Sequence, residues 1–169
     1  MADLRLIAVV AIAACSTADA QAPEPAAKPS GVHVPATWKP APAIVEATRM
    51  AAGGTGITVD GIEAWGEPAM GCYALWLSLR GAGGGGDVLA DQIVKSLEAE
   101  QLALRDVVKP TAAEGVLALR FERKGTSPYT GRLRARLAEG SITALACFAN
   151  PREPAACETA CTAVLGAIP

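Results

Sequence analysis

Residues 115–149 read GVLALRFERKGTSPYTGRLRARLAEGSITALACFA, and three strands follow from this stretch by alternation alone. Gly115 to Lys124 and Gly131 to Ala138 set apolar side chains at every second position, around a loop Thr126-Ser127-Pro128-Tyr129-Thr130 rich in turn formers. A register symmetric about Pro128 puts Leu119 opposite Leu137 and Phe121 opposite Ala135, with Leu117 along the same inner face. Both strands then bury the same side, as a half-buried hairpin requires. Glu139-Gly140 turns the chain into a third strand, Ile142 to Ala149.

Outward from this block the pattern alternates between helix and strand periods. A short helix is predicted from Ala43 to Ala52, stopped by Gly53-Gly54. Ile57 to Glu67 and Cys72 to Arg80 read as strands joined by a tight turn at Pro68. After the glycine run Gly83 to Gly86, Asp87 serves as N-cap of a helix reaching about Leu104. Leu89, Ile93 and Leu97 fall on its inner face, and Asp91 and Lys95 form an i,i+4 pair outside. A last helix covers about Glu153 to Gly166. The fold class is α+β: an antiparallel sheet of about five strands packed with two or three helices, in the order α-β-β-α-β-β-β-α. In element order this resembles the small α/β sandwiches of PsbP-like and DcrB-like envelope proteins.

The N-terminus reads as an address. Residues 1–20 form a secretory leader: Arg5 near the start, then an uncharged run from Leu6 to Ala14. That run is about half of what spans a bilayer. Ile12-Ala13-Ala14-Cys15 resembles the lipobox of bacterial lipoproteins, which implies acylation of Cys15. Ala18-Asp19-Ala20 offers the competing site of ordinary signal peptidase, which would release a soluble periplasmic or secreted protein. With the lipobox, Ser16 follows the lipidated residue. An Asp there would signal inner-membrane retention in enteric bacteria, so the resemblance implies the outer membrane. Residues 21–42 hold six prolines and read as an extended, unpacked tether. Residues 43–169 then form a single domain. The chain's one histidine, His33, lies in the tether, where it reads as incidental.

Either cleavage leaves Cys72, Cys147, Cys157 and Cys161, an even number suited to an oxidising compartment. Cys157 and Cys161 share one helix face at a spacing too wide for mutual pairing, so each reaches a strand. If the final helix folds back along the strand it leaves, Cys147–Cys157 and Cys72–Cys161 are the favoured bonds, with the swapped pairing as alternative. C-x-x-x-C lacks the spacing of redox C-x-x-C, and four thiols in such a compartment pair before they hold a metal.

With no histidine in the domain, imidazole-based triads and metal sites are excluded. The glycine run forms neither a phosphate loop nor a dinucleotide fingerprint, so no cofactor is implied. No catalytic residues are assigned. Asp60, Glu63 and Glu67 are the only carboxylates offered for an alternative envelope hydrolase. A net charge of −2 predicts no general affinity for nucleic acid or for anionic membranes, so any such affinity has to come from a local patch. One stripe is basic. In the register above, Lys124 faces Arg132, Glu122 faces Arg134 and Arg120 faces Arg136. Such a stripe suits anionic lipid, cell-wall polymer or an acidic protein partner, in a non-catalytic binding domain held at the membrane by its lipid. A two-residue turn at Glu139-Gly140 would put Cys147 on the arginine side, under partial cover of the last helix; a three-residue turn would put it on the other.

Overall fold

The computed structural model describes residues 30–52, 56–125, 128–149 and 154–166. The leader, the lipidation expected at Cys15 and residues 21–29 of the tether lie outside the described residues, as do the helix stop Gly53-Gly54, Thr126, Ser127 and Glu153. The described strands are β1 (Lys39–Pro40), β2 (Thr58–Glu67), β3 (Cys72–Arg80), β4 (Ala103–Val108), β5 (Gly115–Arg123), β6 (Tyr129–Ala138) and β7 (Ser141–Ala149). They form one antiparallel sheet ordered β1-β2-β3-β7-β6-β5-β4. Three helices pack on it: α1 (Pro42–Ala52), α2 (Gly86–Ala99) and α3 (Pro154–Leu165). The α+β class holds, but the sheet has seven strands instead of about five.

The extra strands come from two segments with other expected roles. β4 begins in what reads as the last residues of the second helix and runs on into a stretch assigned no element. That helix stops at Ala99 because Gln101 adopts a left-handed φ of 62°. The Leu102 amide then bonds the Leu97 carbonyl, the Gln101 amide bonds Glu98, and Leu97 and Leu102 are both buried. This is the Schellman closure with glutamine in the position glycine usually takes. The N-cap is Gly85, without a side-chain bond, and Asp87 sits in the first turn. Lys109 donates to Asp91 at 2.8 Å and lowers its carboxyl pKa, taking the contact expected of Lys95, whose charge lowers it further.

β1 comes from the proline-rich segment, whose described part packs against the sheet instead of standing clear. Ser30 donates to Glu63 through its amide (3.0 Å) and hydroxyl (2.6 Å), and Val32, Val34 and Trp38 join an apolar cluster with Trp65, Trp76 and Met70. Proline withholds donors but is tolerated on an edge strand, and the intervening apolar residues supply the burial. The folded body therefore begins by Ser30, ahead of the boundary at residue 43.

The sheet is covered on both faces. α1 and α2 lie on one, over Ile62, Leu75, Leu77, Leu117, Leu133 and Leu137. α3 and the segment from Val32 to Trp38 lie on the other, over Cys72, Ala74, Trp76, Leu145 and Cys147. β3 and β7 sit at the centre, so Ala144 and Leu145 are both buried although they point to opposite faces.

The β5–β6 register differs from the symmetric one by four positions. Leu119 pairs with Leu133, Phe121 with Gly131 and Arg120 with Arg132. An even shift keeps every side chain on its face, so the division into inner and outer residues survives while the partners change. Gly131 selects this register. A Cβ there would collide with the Phe121 ring and come within 2.7 Å of the Cys147 carbonyl oxygen, so the ring lies across the bare backbone, edge-on to Tyr129 at 6.2 Å.

The disulfides are Cys72–Cys157 and Cys147–Cys161, the swapped pairing. The reason is register. Cys72 pairs with Ala149 at the end of β7, whereas Cys147 pairs with Ala74 one step further in. A helix returning from β7 meets Cys72 first. Four helical residues rise about 6 Å, and two strand residues about 6.6 Å, so both bonds close in step.

Digestion without reduction should release a Cys72–Cys157 linked peptide, and the pairing is wrong if Cys147 appears with Cys157. Because the bonds close sequence separations of 85 and 14, alanine pairs at Cys72/Cys157 should lower unfolding free energy by about 4.5 kcal/mol and at Cys147/Cys161 by about 3 kcal/mol in urea titration.

Candidate anion-binding face

The face under α3 is where the basic stripe emerges. Ala138 pairs with Ser141, so Glu139-Gly140 is the two-residue turn, with Gly140 at a φ of 68°. Cys147 therefore shares the side of Arg132, its register partner, and α3 covers part of the stripe.

Cross-strand neighbours on this face fall into rows. Arg105 of β4 pairs with Arg120 of β5, which pairs with Arg132 of β6, three like charges in one line across the sheet. Such neighbours repel, and the chain answers with carboxylates from α3, from β4 and from Glu122 within the stripe itself. Glu158 on α3 places Oε1 between two arginines, accepting from Arg132 and lying 3.8 Å from Nη1 of Arg120. Arg132 also donates to the Thr162 hydroxyl at 3.2 Å. Asp106 approaches Arg120 to 3.2 Å, and Glu122 approaches Arg105 to 3.7 Å. Between α3 and the strands lies an open cleft of about 250 Å³, walled by the three arginines, Glu122, Thr130 and Glu158, with cysteines of both disulfides behind them.

Further along β6, the outward side chains are Arg134, half-buried beside Leu145, and Arg136, exposed beside Thr143 and Val116. Among the described residues neither forms an ion pair. Compared with protein-family models and with curated proteins, the chain matches none.

Of the sequence-predicted stripe, Arg120, Arg132, Arg134 and Arg136 share this face. Lys124 does not belong to it: the ladder ends at Arg123 paired with Tyr129, and Lys124 is exposed beyond it. The expected pairs Lys124–Arg132, Glu122–Arg134 and Arg120–Arg136 are replaced by Arg120–Arg132, Ala118–Arg134 and Val116–Arg136. Arg105 was missed because it lies just past the predicted helix end at about Leu104, in a stretch assigned no strand. The pair Val107-Val108 with Pro110 close behind is the signal that a strand ends there instead. Of the three carboxylates offered for hydrolysis, Glu67 is half-buried at the end of β2 and the other two are engaged elsewhere. Asp60, at a bulge in β2, takes both ends of the Arg80 guanidinium and raises its pKa by hydrogen bond and charge, while Glu63 holds Ser30. His33 is exposed and its Nδ1 lies 3.1 Å from the Gly31 carbonyl.

Removing a partnered and an unpartnered arginine should therefore differ. Arg132→Gln should cost about 1 kcal/mol in urea unfolding, since it leaves Glu158 without its closest cation, whereas Arg136→Gln should stay within about 0.5 kcal/mol of the wild type.

Proposed function

We propose that the protein is an exported, membrane-tethered envelope lipoprotein whose domain binds anionic material on its arginine face without catalysing a reaction. Arg134 and Arg136 carry this reading: two cations on adjacent outward positions of β6 without a counter-charge among the described residues. Structural disulfides suit an oxidising compartment. The lipobox resemblance at Cys15 and the outline likeness to PsbP-like and DcrB-like envelope domains supply the address, with the outer membrane as the favoured site. The partner class is acidic: phospholipid head groups, cell-wall polymer or an acidic protein, with attraction that falls as salt rises.

Charge reversal at Arg134 and Arg136 together should abolish co-sedimentation with phosphatidylglycerol vesicles or cell-wall sacculi and leave the unfolding midpoint in place. Undiminished sedimentation would refute the arginine-face reading. Intact mass of the protein from its native membrane fraction should start at an acylated Cys15, with four thiols alkylated only after reduction. A mass starting at Gln21 would replace the tethered protein with a soluble exported one.

A further inference from the structure

We infer that the cleft between β5–β6 and α3 is a site for a phosphate monoester group, which takes the place now held by the Glu158 carboxylate. The inference rests on the anion-binding reading of this face and narrows it to one ligand chemistry at one place.

Arg105, Arg120 and Arg132 are register neighbours on three adjacent strands. Strands lie about 4.8 Å apart, so the three arginines line up along roughly 10 Å. Glu158 Oε1 sits between two of them and marks where the sheet and α3 together receive an oxyanion oxygen. This internal carboxylate answers two arginines at once, and among the described residues Arg105 has only the 3.7 Å approach of Glu122.

The occupant is also built to be replaced. Cys157 and Cys161 bracket Glu158 and fix the helix backbone to β3 and β7, while the Glu158 side chain is 54% exposed. It can swing into solvent without moving α3. A phosphate monoester carries a charge of about −1.5 to −2 at pH 7 and three acceptor oxygens, against one charge and two oxygens for a carboxylate. It can therefore engage the third arginine, which Glu158 does not reach. The Thr130 hydroxyl on the cleft wall is a further donor. At about 250 Å³ the cleft admits a phosphate and the few atoms attached to it, and leaves the rest of a lipid or polymer outside.

The experiment is calorimetric titration of the full mature chain with inorganic phosphate at low salt. Glu158→Gln, which removes the competing charge and keeps the shape, should tighten binding about tenfold. Arg132→Gln and the surface variant Arg105→Gln should each weaken it at least fivefold. Failure of both wild type and Glu158→Gln to bind phosphate, or equal affinity of the two, overturns the inference. Vesicles containing phosphatidate provide the second arm. If they compete with free phosphate the monoester comes from a lipid; if they do not, it comes from a soluble ester. Should vesicle binding survive Arg105→Gln and Arg132→Gln but vanish on reversal of Arg134 and Arg136, the open-face reading stands and the cleft site falls.

Discussion

The antiparallel pairing of β3 with β7 joins two meanders distant in sequence, running from Cys72 opposite Ala149 to Arg80 opposite Ser141. Both strands are packed on both faces, so a slip of one residue would exchange the side chains beneath α1 and α2 for those beneath α3. That register also sets the cystines. It staggers Cys72 and Cys147 by one strand step, and the returning helix matches the stagger with one helical turn.

Because α3 is placed covalently, its surface chemistry can be unlike that of an ordinary packing helix. Its sequence is mostly alanine, threonine and cysteine, with Val164 and Leu165 as its only large buried aliphatics. Covalent bonds supply what a wider apolar stripe would provide elsewhere. This frees Glu158 and Thr162 to face the arginines. The electrostatics of the basic face are thus set by a helix whose position does not depend on them.

The sequence carried the periodic elements well. β3, β5, β6 and β7 and the inner faces of the hairpin follow from alternation, which an even register shift leaves intact. What it did not carry depends on contacts between distant residues. Gly131 reads only as the start of a strand until the Phe121 ring is seen to need its bare backbone. Gln101 carries no glycine-like signal for the left-handed stop that ends the helix short of Leu104, so the strand Ala103–Val108 went unread and Arg105 with it. The cystine pairing needed the β3–β7 register, which no local pattern contains. Four of the five stripe cations were legible because the side of a strand on which a residue points is local information. Their partners Glu158 and Asp106 were not, since those arrive from other elements.

The two margins of the sheet have a separate consequence. At one, β1 is two residues long and includes Pro40, which has no amide hydrogen to offer. At the other, β4 breaks its ladder between Arg105 and Val108, where Asp106 holds a φ of 51°. Neither border presents a long, regular row of backbone donors and acceptors. Along β1 and β4 themselves, copies crowded at high density therefore find no straight seam on which to zip into a continuous ribbon, although Val107 and Val108 are exposed there.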